Sequence, residues 1–256
     1  MKNYLTRIAF LIISAVTALA GQTYTAHADD SILVLYNDRA PYMVTGPGGD
    51  ISGLTADPAK FAFTKSGIPH HFESAPTKRQ MEAIEASEAK VCIIGWFKNP
   101  EREKIGKFTD ALYKDKATVA IAKADNTKID SGKTVDAVLS DKNLTVLVKE
   151  GFSYGAFIDD KIKQLSPKRE DTLLENVGML KMILAGRADY MFIAPEEAEV
   201  LMKSADFKAG DFKLVTFTNM PEGGNRYLLC SRLVPDADIQ KLNAALKEYR
   251  DSHPQK

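Results

Sequence analysis

Cysteine is nearly absent: Cys92 and Cys230 are the only two in 256 residues, accompanied by four histidines and one tryptophan. No His or Cys group has metal-ligand spacing, and the adjacent His70 and His71 point to opposite faces of a strand-like run, so a built-in metal site is not expected. Charge of one sign is lacking too. The 34 Lys+Arg balance 34 Asp+Glu without a basic stripe, which argues against nucleic acid as a partner. The GPGG at 46–49 is a turn rather than a phosphate loop, because no Lys-Ser/Thr follows it. No G-x-S-x-G elbow and no solenoid-type repeat is present, no cofactor motif is recognised, and beyond the first residues no apolar run approaches a transmembrane length.

The apolar run that does exist lies at the start. MKNYLTR carries two positive charges, IAFLIISAVTALA is too short to span a bilayer, and Ala26-His27-Ala28 before Asp29 fits a small-residue cleavage site. Residues 1–28 read as a cleaved secretory signal peptide, with cleavage after Ala28 and no cysteine at a lipoprotein position. A periplasmic protein is expected. Loss of Lys2 and Arg7 with the leader takes the formal charge from zero to −2. In an oxidising compartment Cys92 and Cys230 either form a disulfide or remain two buried thiols, since both sit in apolar strand-like runs, VCIIGWF and RYLLCSR.

Strand-like and helix-like segments then alternate. SILVLY, IPHHFESA, VCIIGWF and TVAIAK read as strands; TADPAKFAFTKSGI, TKRQMEAIEASEA and NPEREKIGKF read as helices, the last with Asn99 as N-cap and Pro100 at its first position. A polar stretch, ADNTKIDSGKTVDAV, interrupts the pattern. Beyond it NLTVLVKEG, ADYMFIA and KLVTFTN read as strands, while FSYGAFIDDKIKQL, LLENVGMLKMILAG and the segment opened by Pro195 read as helices. RYLLCSR and DADIQKLNAALKEYR add a strand and a closing helix. The alternation predicts mostly parallel sheets flanked by helices, in two α/β lobes with linkers near residues 123 and 221.

The leader, "ALY" after "EREKIGKFTD", "EGFSYG" after a strand, "LAGRAD" before a strand and the closing "LVPDADIQKLNAAL" together resemble the periplasmic solute-binding proteins of the amino-acid-binding type, solute-binding family 3. The resemblance covers nearly the whole mature chain. Its most specific element runs from Glu101-Arg102 to Phe108-Thr109 and Tyr113, and GWFKNPERE looks like a less characterised branch. The resemblance implies a two-lobe Venus-flytrap fold with two crossover hinges. Lobe 1 would comprise 29–122 and 222–256 and lobe 2 would comprise 123–221, closing on a small polar or acidic ligand. It also implies that VCIIGWF and RYLLCSR are neighbouring strands, which would bring Cys92 and Cys230 within reach.

Ligands of open α/β sheets bind beyond the carboxyl ends of strands, where helices begin. Arg102 matches the family's carboxylate-binding arginine, a fork suited to two charge-assisted hydrogen bonds; read by itself, it is equally a surface residue paired with a neighbouring acid. Trp96 and Phe97 leave the same strand end and either wall the site or belong to the core. Ser153 matches a ligand-holding Ser or Thr and also serves as a helix cap. Where the family carries an ammonium-binding aspartate this chain has Ala194, so Glu196 or Glu197 would be a displaced substitute. Arg39, followed by Ala40-Pro41-Tyr42, replaces a stacking aromatic. Arg39, Arg79 and Arg102 converging on one crevice would favour a ligand with more than one acidic group. Three functions follow: a monomeric binding protein serving an ABC-type importer, an orphan sensory binding domain, or a periplasmic dehydratase of cyclohexadienyl acids with Glu196 or Glu197 as general acid.

Overall fold

The structure is a computed structural model that describes residues 31–254, so the leader and its cleavage point lie outside the described residues. The apolar run ILVLY forms β1 (Ile32–Tyr36). A short ribbon of β2 (Val44–Thr45) and β3 (Ile51–Ser52) then turns on GPGG, followed by α1 (Ala56–Ser66), β4 (His70–Ser74), α2 (Thr77–Ala86), β5 (Val91–Phe97), α3 (Pro100–Ile105) and β6 (Gly106–Lys114). A second series follows: β7 (Val119–Lys123), α4 (Val135–Ser140), β8 (Val146–Lys149), α5 (Ala156–Leu165), β9 (Arg169–Thr172), α6 (Asn176–Leu184), β10 (Tyr190–Ile193), α7 (Pro195–Leu201) and β11 (Phe212–Val215). The chain returns through β12 (Asn225–Ser231) and closes on α8 (Asp236–Ser252). Among the described residues no helix is long and apolar enough to cross a membrane.

The strands form two five-stranded sheets, ordered β4-β1-β5-β12-β6 and β11-β7-β10-β8-β9. In the first, β12 pairs antiparallel with both neighbours while the remaining four strands share one direction. In the second, β7 is the single reversed strand. Both reversed strands are the first the chain lays down after crossing from one sheet to the other. Mostly parallel sheets flanked by helices are thus present as expected.

Alternation along the strands divides each core in two. On one face of the first sheet Val34, Cys92, Ile94 and Leu228 pack with residues of α1 and α8; on the other Leu35, Ile93, Trp96 and Leu229 pack with Ile84 of α2. The second sheet places Ile121, Leu147 and Met191 against α6, and Ala120, Val146, Tyr190 and Phe192 against α4 and α5.

The lobe boundary expected at residue 122 falls inside β7. Val119–Lys123 pairs with β10 and β11, because its consecutive buried small and branched residues suit an interior strand covered on both faces, so the first crossing lies between Lys114 and Val119. Three other differences are local. GKFTDALYK forms β6 rather than continuing a helix; its register shifts against β12 break the alternation a strand would show. FSYG precedes α5 as irregular backbone. Leu173 and Leu174 lie before α6 and are 60 % and 48 % exposed.

Cys92 and Cys230 are register partners in β5 and β12 and form a disulfide, which decides between the two states left open by the sequence. The unfolded, unreduced mature protein is accordingly expected to titrate no free thiol. Two thiols in that measurement would mean that the pair is not bonded.

Candidate functional site

The carboxyl ends of β1, β5 and β8 and the starts of α3, α6 and α7 meet along one crevice between the sheets. There the chain forms two adjoining cavities, each with about 20 Å³ of free space, lined in common by Arg39, Phe97, Lys149, Phe152, Ser153, Asn176 and Arg226. That is room for about one water molecule in each, so the crevice is nearly filled by its own side chains.

Arg102 is fixed by the local start of α3. Asn99 caps the helix by accepting from the Arg102 backbone N–H at 2.9 Å, and Pro100 supplies the first turn, which turns the Arg102 side chain back over the strand end. Its guanidinium lies 4.7 Å from the Trp96 ring centre and donates to the carbonyls of Phe97 at 2.8 Å and of Gly151, across the crevice, at 3.3 Å. Two carbonyls use only part of a five-donor fork. The residue is 6 % exposed, and no carboxylate among the described residues lies within ion-pair distance of it. Burial lowers its pKa to about 10, so it stays protonated at neutral pH. Arg102 is therefore a buried cation with donors to spare and no acid in ion-pair contact, Asp159 and Glu101 acting on it only from a distance.

The other cations of the crevice are already matched. Arg39 grips Glu197 through Nε and Nη2, both at 2.6 Å, and Glu197 also accepts from Asn176 Nδ2 at 2.6 Å. Burial, the largest single influence, would lower the Arg39 pKa, but the charge and hydrogen bonds of Glu197 together outweigh it and the net shift is upward. Arg226 holds Asp115 through Nε at 2.8 Å and Nη2 at 2.7 Å, with its guanidinium over the rings of Tyr42 and Phe97. Lys149 meets Glu175 at 2.5 Å and Thr77 at 3.4 Å. The Arg39–Glu197, Arg102–Gly151 and Lys149–Thr77 contacts all join the two sheets' loops, so the crevice is closed.

The model of the bacterial extracellular solute-binding proteins, family 3, matches residues 32–253. The chain belongs to that family. A search of curated protein sequences finds no match. Solved structures of the same fold include an ancestral arginine-binding protein bound to arginine, at 21 % identity over 88 % of this chain and 94 % of that one with a TM-score of 0.69. Holo ArgBP from T. maritima aligns at 19 % identity over 86 % and 90 %, TM-score 0.66. An amino acid ABC transporter substrate-binding protein from Streptococcus pneumoniae bound to L-arginine aligns at 15 % over 88 % and 90 %, TM-score 0.66.

In this family 3 solute-binding protein the residues singled out from the sequence do not all meet. Arg39, Trp96, Phe97, Arg102, Ser153 and Glu197 do line the cavities. Arg79 does not: the inward face of α2 carries the buried Gln80 and Ile84, which leaves Arg79 67 % exposed and 3.7 Å from Glu73. Convergence of Arg39, Arg79 and Arg102 is thus corrected. Tyr42 is fully buried behind the cavity wall, where its hydroxyl donates to Asp115 at 3.1 Å. Glu196 turns away from the cavities and accepts from Tyr113 Oη at 3.0 Å and the Lys116 N–H at 2.8 Å, at the first crossing. Ser153 is not the cap of α5, whose cap residue is Gly155; its hydroxyl donates to Asp159 and accepts from the Gly155 N–H. Sequence reasoning missed Arg226, Asp115, Lys149, Phe152 and Asn176. Lys149 was the findable one, since it ends β8 and the strand-end rule applies to it as it does to Phe97.

Proposed function

We propose that the mature chain captures a small carboxylate-bearing solute, an amino acid or a related organic acid, between two lobes that close by hinging at the crossings, and delivers it to an ABC-type importer in the inner membrane. The observation that carries the reading is Arg102, a buried guanidinium over Trp96 that faces the cavity without an acid partner. A ligand carboxylate supplies the missing charge, and contacts made to both lobes at once favour the closed state. Family membership supports capture of an extracellular solute.

A dehydratase reading has less behind it: Glu196 and Glu197, the candidate general acids, are held by Tyr113 and Lys116 and by Arg39 and Asn176. A sensory role would use the same cleft with a different partner, and is distinguished by a gene neighbourhood without a permease and ATPase.

The test is a thermal-shift screen of residues 29–256 against amino acids, dicarboxylates, keto acids and small aromatic acids. A ligand at a hundred times its Kd stabilises the fold by about 2.7 kcal/mol, which is a readily measured rise in Tm. At least one carboxylate is expected to produce it. The absence of a shift with every one of these acids would overturn the reading.

A further inference from the structure

Four basic and three acidic side chains line the cavities, and their pairing is uneven. Glu197, 1 % exposed, has both oxygens occupied by Arg39 and one of them also by Asn176. Asp115, 5 % exposed, has both oxygens occupied by Arg226 and one also by Tyr42. Glu175 holds Lys149. Each of these three acids therefore already carries a cation supplied by the chain, which leaves Arg102 as the one cation lining the cavities without a carboxylate in ion-pair contact; Asp159, held beside the cavities by the Ser153 hydroxyl and the Tyr154 N–H, attracts it only from a distance. A ligand ammonium group would have to displace a guanidinium from a two-point grip or sit unpaired in a buried site, and an unpaired buried charge is strongly unfavourable. A second ligand carboxylate would meet the mirror-image problem, because no second cation is free.

We infer that the cleft selects small monocarboxylates without an ammonium group, of the hydroxy-acid or keto-acid class, and that Arg39 supplies from within the chain the cation that Glu197 would otherwise take from a ligand. The inference rests on the proposed role of Arg102 and narrows its ligand. Neutral oxygen substituents have partners in Thr77 and Asn176, and Phe97 and Phe152 offer apolar surface to the rest of the molecule.

Calorimetric titration of residues 29–256 with matched sets tests this: alanine, lactate and pyruvate; leucine, 2-hydroxyisocaproate and 4-methyl-2-oxopentanoate; phenylalanine, phenyllactate and phenylpyruvate. In at least one set the hydroxy or keto acid is expected to bind at least tenfold tighter than its amino acid. Arg39→Met, which frees Glu197, should shrink that preference at least tenfold, and Glu197→Gln, which frees Arg39, should improve malate relative to lactate by a similar factor. An amino acid that binds as tightly as its partners overturns the inference, as does a preference unchanged in whichever of the two variants folds; in both cases the Arg102 reading survives if Arg102→Ala still weakens binding at least 30-fold. Binding by none of the nine compounds overturns the inference, and acid binding indifferent to Arg102→Ala overturns both.

Discussion

Replacing Arg102 by alanine is expected to weaken capture of a carboxylate by about 2–4 kcal/mol, or roughly 30- to 700-fold in Kd. The size of the effect follows from burial. A carboxylate drawn into the closed crevice gives up its water, and without the guanidinium it would be left as a charge with no counterpart. The variant also loses the Arg102 bond to Gly151 across the crevice, so closure itself becomes less favourable. Arg102→Lys keeps the charge but not the fork and should fall between the two. The ligand-free variant gives a second readout. Because burial disfavours the charged form of Arg102 and the charges of Asp159 and Glu101 offset that only in part, its removal is expected to change the melting temperature of the empty protein little. A residue that matters for ligand and not for stability behaves in this way. Titration calorimetry with the strongest hit of the screen checks the first expectation and a thermal melt the second; unchanged affinity would remove Arg102 from the site.

How much of this was legible in the sequence depends on what each feature requires. Alternating apolar runs give strands and helices, and Asn99-Pro100 gives the start of α3, because those signals are local. Arg102 and Phe97 were within reach for the same reason: each sits where a strand ends or a helix begins. The charge balance was not legible. Arg39 and Glu197 are 158 positions apart and Asp115 and Arg226 are 111 apart, and no local pattern says which arginine meets which acid. Three arginines counted along the chain suggested a ligand with several acidic groups. In space Arg79 turns to solvent and Arg39 is neutralised, which reverses the conclusion about ligand charge. Likewise β6 was lost because its irregular register spoils the period of two, a signal that only the partner strand supplies.

Asp115→Ala is expected to destabilise the protein by about 3–5 kcal/mol, the range for removing one partner of a buried ion pair. The pair is buried on both sides, with Asp115 5 % and Arg226 3 % exposed, and the stranded Arg226 would keep only the Gly95 carbonyl, at 3.1 Å, and the ring faces of Tyr42 and Phe97. Urea melts would measure the loss. A double variant, Asp115→Leu with Arg226→Met, separates charge from packing: two apolar side chains of similar volume leave no orphan, so it should recover most of the stability lost by Asp115→Ala alone. A loss below about 1 kcal/mol in the single variant would mean that water reaches Arg226 and that the pair is no brace. The pair's position gives the result functional weight. Asp115 directly follows β6 and Arg226 is the second residue of β12, so the pair ties together the two points at which the chain leaves and re-enters the first sheet. The same place is braced by the Asp115 N–H on the Gly224 carbonyl at 3.0 Å, and packing there is close enough that a Cβ on Gly223 would sit 1.9 Å from the Asp115 carbonyl oxygen. In the proposed closure these segments cannot be where the chain bends. The bending must fall beyond them, at residues 116–118 and before 223, with Arg226 and Phe97 as the fixed floor on which the second lobe closes. Loss of Asp115 should then weaken ligand binding as well as stability, because the floor and the crossings give way together.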